Sequence, residues 1–158
     1  MKDKTLKNIK ICCYIALASC FVWACLMVRF LIIDLFKDGM LSHSVTWSEN
    51  TAMKIIILVC YVLGAVAMIA LCVKAVFNTL KGLRENTVFP RSNEKLMFWI
   101  ALTSFIYILS WSNLPILFQK DFVFCFSGTN LIIPFFLLFF AFMYKVAADA
   151  AEENNLTV

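Results

Sequence analysis

Four apolar stretches, Ile11–Ile33, Ile55–Val73, Leu96–Phe118 and Leu131–Tyr144, dominate the pattern of the chain, and Arg29 is the only charged residue inside them. A helix needs roughly 20 apolar residues to cross a hydrocarbon core of about 30 Å. The first three stretches meet that length, and the fourth does if it continues past Lys145 toward Ala148. Lipid offers no hydrogen-bond partner to bare backbone groups, so helices are the natural solution. The pattern therefore predicts an all-α integral membrane four-helix bundle. Its spans lie at about 11–33, 55–73, 96–118 and 131–148, with an elbow at 74–95 and a tail at 149–158.

Polar and small residues inside the spans predict how the helices meet. Ala16, Cys20 and Ala24 align on one face of the first span, and Cys60, Gly64 and Ala67 do so on the second. Packing rather than hydrophobicity drives association in lipid, so these flat strips predict a contact between the two helices. The third span carries Thr103, Ser110 and Asn113 on one face with Tyr107 beside them, a stripe expected to face the interior as interhelical glue. Asn113 followed by Pro115 is the candidate kink, and Trp99 and Trp111 are candidate interfacial anchors. In the phenylalanine-rich fourth span, Thr129 or Asn130 can cap the start and leave Pro134 in or near the first turn. Phe122–Phe126 either dips into the outer interface or lengthens that helix.

Composition agrees, with 63% apolar and 15% charged residues where soluble chains have roughly 45–50% apolar. The connections of about 21, 22 and 12 residues are too short for a separate soluble domain, so residues 1–158 form one membrane domain. The net charge of +4 is unevenly placed. Lys2, Lys4, Lys7 and Lys10 precede the first span, and Lys74, Lys81, Arg84, Arg91 and Lys95 lie between the second and third. Only Lys37, Lys54 and Lys120 lie in the other connections. This asymmetry predicts that both termini and the elbow are cytoplasmic, and it argues against direct nucleic-acid binding. Leu17-Ala18-Ser19-Cys20 resembles a lipoprotein cleavage site, but the apolar run continues through Val28, as a full span does. The seven cysteines contain no Cys-x-x-Cys pair and read as small packing residues, while a disulfide among Cys25, Cys60 and Cys125 stays open.

The elbow reads as a helix end, a turn and a helix start. Asn86 suits the left-handed conformation that ends helices, Pro90 enforces a stop, and Ser92 can cap the third helix with Glu94 near its positive end. At the other end Asp149, Glu152 and Glu153 crowd negative charge where a helix macrodipole disfavours it. Lys81, Arg84, Arg91 and Lys95 are the expected compensating cations, so Glu152–Val158 is expected to dock on the elbow.

Thr87-Val88-Phe89, then Asn93 and Leu96, together with the ending Glu-Glu-Asn-Asn-Leu-Thr-Val, resemble the bacterial membrane family called domain of unknown function 2975. The resemblance runs from about the second span to the C-terminus. It implies four helices, a multi-pass setting in the bacterial plasma (inner) membrane, and a regulatory partnership with a small Cro-type helix-turn-helix protein, since such regulators are often encoded beside members. No biochemical activity is carried over with it.

An enzyme needs convergent reactive groups, and the single histidine, His43, has only Asp38 and Glu49 near it in sequence. No cofactor or metal is implied. The expected function is an interaction or regulatory protein that recruits a cytosolic partner. Its candidate contact residues are Arg84, Phe89, Arg91, Asn93, Glu152, Glu153 and Leu156. A small transporter or channel subunit using the stripe, and a self-immunity protein against a membrane-active peptide, are the alternatives, and homo-oligomerisation is compatible with each.

Overall fold

The computed structural model describes residues 2–29, 32, 50–85, 87–118 and 123–156. Four α-helices are found among them: α1 (Lys2–Arg29), α2 (Thr51–Arg84), α3 (Glu94–Asn113) and α4 (Thr129–Leu156). All four are long and apolar enough to cross a membrane, and no strand occurs among the described residues. Met27 meets Tyr61, Gly64 meets Tyr107 and Ser112 meets Asn130, so consecutive helices run antiparallel. The main packing follows chain order, α1 on α2, α2 on α3 and α3 on α4.

The helices overrun the apolar stretches. α1 starts at Lys2 rather than Ile11, α2 continues from Val73 through Arg84, and the expected tail is helical to Leu156. Hydropathy marks where lipid ends, whereas a helix continues in water for as long as one face stays packed. Beyond Lys74 that face is Ala75, Gly82 and Leu83, all buried. Beyond Lys145 it includes buried Ala148, in an alanine-rich segment of high helix propensity. Within the 74–95 elbow, the helix end runs to Arg84, and a turn and a 3-10 turn at Arg91–Asn93 lead into α3.

Several local expectations are corrected. Gly64 packs closely against α3: a Cβ there would lie 3.3 Å from Tyr107 Cα. Pro115 does not kink α3 but lies in a 3-10 segment, Leu114–Phe118, that turns Leu114, Ile116 and Leu117 into the core beside Met27 and Tyr61. Pro134 lies in the second turn of α4, where its missing N–H removes the bond toward the Asn130 carbonyl. Ser92 caps nothing: the residue before α3 is Asn93, which makes no side-chain cap bond. Asn86 lies outside the described residues, and the left-handed non-glycine residue found among them is Asn50, preceding α2. Lys54, expected in a connection, belongs to α2 and is buried.

An aromatic cluster ties three helices together at the end opposite the elbow. Tyr61 stacks on Tyr107 at 5.4 Å and lies 5.7 Å from Trp111, while Trp23 of α1 meets Tyr107 edge-on at 5.3 Å. The Tyr61 hydroxyl donates to Met27 Sδ at 3.0 Å. Each such aromatic pair contributes roughly 0.5–1.5 kcal/mol beyond its buried area, which matters where lipid supplies no hydrophobic drive between helices.

Candidate functional site

The elbow is built around two tightly packed residues, Gly82 and Asn93. Gly82 accepts hydrogen bonds at its carbonyl from Glu85 N–H (2.9 Å) and Thr87 N–H (2.7 Å), the latter being the six-residue closure that ends many helices. A Cβ on Gly82 would lie 2.7 Å from the Thr87 carbonyl oxygen, so the chain can turn back this tightly only over glycine. Asn93 is wholly buried. Its Nδ2 donates to the Ala75 carbonyl and to Thr79 Oγ1, both at 2.9 Å, and its Oδ1 accepts from Asn78 Nδ2 at 3.0 Å. Asn93, expected among the partner-contacting residues, is thus buried and staples α2 to the turn that starts α3.

α4 then clasps the turn from the other side. The Tyr144 hydroxyl donates to the Pro90 carbonyl at 3.1 Å, and the Phe89 ring stands edge-on to Tyr144 at 5.6 Å. Arg91 bonds Glu152 through Nε (3.0 Å) and Nη2 (2.7 Å), pairs with Asp149, and reaches Glu94 at 3.1 Å. These carboxylates push its guanidinium further above its ordinary value, Glu152 first and Asp149 next, so it stays cationic at every accessible pH. Among the described residues, the last turns of α4 meet the elbow as a helix through ion pairs to Arg91. Lys145 adds a looser pair to Glu94 at 3.8 Å.

This clasp leaves a distinct outer face. Arg84 is exposed, Val88 and Phe89 are 38% and 37% exposed, and beside them a polar cleft of about 310 Å³ is lined by Lys81, Glu85, Thr87 and Arg91 among others. Glu152 and Glu153 are exposed, Leu156 ends α4, and the side chains of 154–158 lie outside the described residues. Residues 38, 43 and 49 also lie outside them.

The polar stripe of α3 is arranged differently from expectation. Thr103 Oγ1 donates to the Trp99 carbonyl at 2.8 Å and Ser110 Oγ to the Ile106 carbonyl at 2.8 Å, so both hydroxyls bond their own helix rather than a neighbour. Only Asn113 reaches elsewhere. Its Oδ1 accepts from Cys125 N–H at 2.7 Å and its Nδ2 donates to the Cys125 carbonyl at 2.9 Å and to the Leu109 carbonyl at 2.8 Å. Sequence reasoning missed Ser112, whose hydroxyl donates to Asn130 Oδ1 at 2.9 Å, a direct side-chain hydrogen bond between α3 and α4. Asn130 is buried and holds that bond instead of capping α4, with its Nδ2 unpartnered.

All seven cysteines are free thiols, and among the described residues no group of His, Cys, Asp or Glu side chains is placed to hold a metal ion. No protein-family model, curated protein or solved structure matches the chain.

Proposed function

We propose that this chain is a small multi-pass membrane protein that acts by binding, with the elbow and the end of α4 forming a platform that recruits a soluble cytosolic partner. The observation that carries this reading is a rigid turn with an apolar tip: Val88 and Phe89 stay exposed although Gly82, Asn93, Arg91 and Tyr144 hold the backbone beneath them. A preorganised surface loses little conformational entropy on association. Lys81 and Arg84 flank the tip and suit an acidic or mixed-charge partner. The satisfied stripe of α3 gives transport no comparable support, because its hydroxyls and Asn113 already have partners.

The orientation belongs to the same proposal. Basic residues at the start of α1 and around the elbow favour a cytoplasmic placement of both termini. The resemblance to the domain of unknown function 2975 family favours a bacterial plasma membrane and a helix-turn-helix regulator as the partner.

A photo-crosslinkable residue at Val88 in living cells tests the reading. The expected result is an adduct with one soluble protein that Lys81→Glu/Arg84→Glu abolishes while the level of the membrane protein is unchanged. Adducts with lipid and the chain itself alone would overturn it. A lone cysteine at Ser92 in a cysteine-free background should react with a membrane-impermeant maleimide only after the cells are permeabilised.

A further inference from the structure

We propose that the groove between α3 and α4 is a binding site for one anionic phospholipid of the leaflet at the elbow end. Two hollows line the outer surface of this helix pair. One, of about 300 Å³, has a buried floor of Ala101 and Pro134 and walls of Phe98, Leu102 and Phe135. The second, of about 280 Å³, lies on the elbow side and shares Phe98 with the first. Buried Ala141 lines it, and Lys95, Lys145 and Trp99 stand at its rim. Small floor residues between bulky walls, with Phe98 common to both hollows, line them up as one slot along the α3–α4 surface.

Length and charge identify the occupant. Lys95 and Phe105 bound the slot on α3, and ten residues of helix measure roughly 15 Å, half of a ~30 Å hydrocarbon core. The slot thus runs from the interface to about mid-bilayer, the depth one acyl chain of a single leaflet occupies. Its deep part is lined by apolar side chains, which suits an acyl chain and offers nothing to a polar solute. At the shallow end both lysines are exposed, Lys95 makes no ion pair among the described residues, and Lys145 holds Glu94 only at 3.8 Å while Arg91 already binds that carboxylate at 3.1 Å, so two ammonium groups stand at the rim beside one carboxylate. Trp99, 51% exposed beside them, is the residue type that settles at headgroup level. An anionic headgroup on the lysines with its chain in the slot satisfies both ends, and the site does not depend on which face of the membrane the elbow occupies.

The test is reconstitution of the full chain into nanodiscs of equal phosphatidylglycerol and phosphatidylcholine, mild extraction, and native mass spectrometry of retained lipid. One phosphatidylglycerol per chain is expected, at a preference of roughly tenfold, the scale of two lysines partly opposed by one carboxylate. Lys95→Gln/Lys145→Gln should bring the preference near unity with an unchanged Tm. Leu102→Trp, which fills the slot from the lipid side and keeps both lysines, should lose the retained lipid. Retention in the bulk ratio, indifference to the lysine pair, or full retention by Leu102→Trp would each overturn the site.

Discussion

The side-chain amide of Asn113 pairs with the backbone of Cys125 on both sides, accepting from its N–H and donating to its carbonyl, as a neighbouring strand would. The irregular segment around Cys125 exposes Val123, Phe124 and Phe126, so it presents apolar side chains outward beside the spans. Irregular backbone next to lipid needs protein partners for its polar groups, and one buried amide supplies both for Cys125.

Asn113→Leu should therefore orphan two backbone groups at roughly 1–3 kcal/mol each, lowering stability by about 2–6 kcal/mol. Unfolding in mixed micelles measures it, and Cys125 should become more reactive toward a thiol reagent. Stability within about 0.5 kcal/mol of wild type would count against the pairing.

The two glycines flanking the elbow and α4 should behave oppositely. Gly82→Ala meets the Thr87 carbonyl, a backbone atom that cannot step aside, and should cost about 1–3 kcal/mol. At Gly128 a Cβ meets nothing within 4 Å, so Gly128→Ala should stay within roughly 0.5 kcal/mol. Thermal melts of the two variants in one detergent decide the contrast.

Asn93 variants should rank by the chemistry of its amide. Asn93→Ala loses three hydrogen bonds and should destabilise by about 2–3 kcal/mol. Asn93→Asp puts an acceptor where two acceptors already receive bonds and buries an unpaired charge, at about 3–5 kcal/mol. A partner-contacting residue would show the reverse, intact stability and weakened capture.

Arg91 links the elbow to Asp149 and Glu152 at the surface. Arg91→Glu should loosen the end of α4, raising the mobility of a spin label at Ala150, and Asp149→Arg/Glu152→Arg in the same chain should restore it. The wild-type restraint should weaken with salt, as the screening length falls from roughly 10 Å at 0.1 M to about 3 Å at 1 M. A label indifferent to both changes would remove the clasp from the account.

Four apolar runs of near-bilayer length already dictated four span-capable helices, because that demand is local and each run meets it within its own residues. The basic residues around the elbow and the acidic end of α4 were likewise legible, and so was the need for a cation near Asp149 and Glu152. Which cation was not: Lys81, Arg84, Arg91 and Lys95 are equivalent in sequence, and only the rotation of α3 against α4 aims Arg91 at the carboxylates. The same holds for Asn93 and Asn113. An asparagine at a helix end is a cap, a contact or a staple depending on what lies across from it, and both have their partners on other segments, at Ala75, Thr79 and Cys125. Sequence alone determined which residues can cross lipid, through composition and length. Tertiary structure decided where each polar group finds its partner, since hydrogen bonds and close packing depend on how the helices are turned and set against one another.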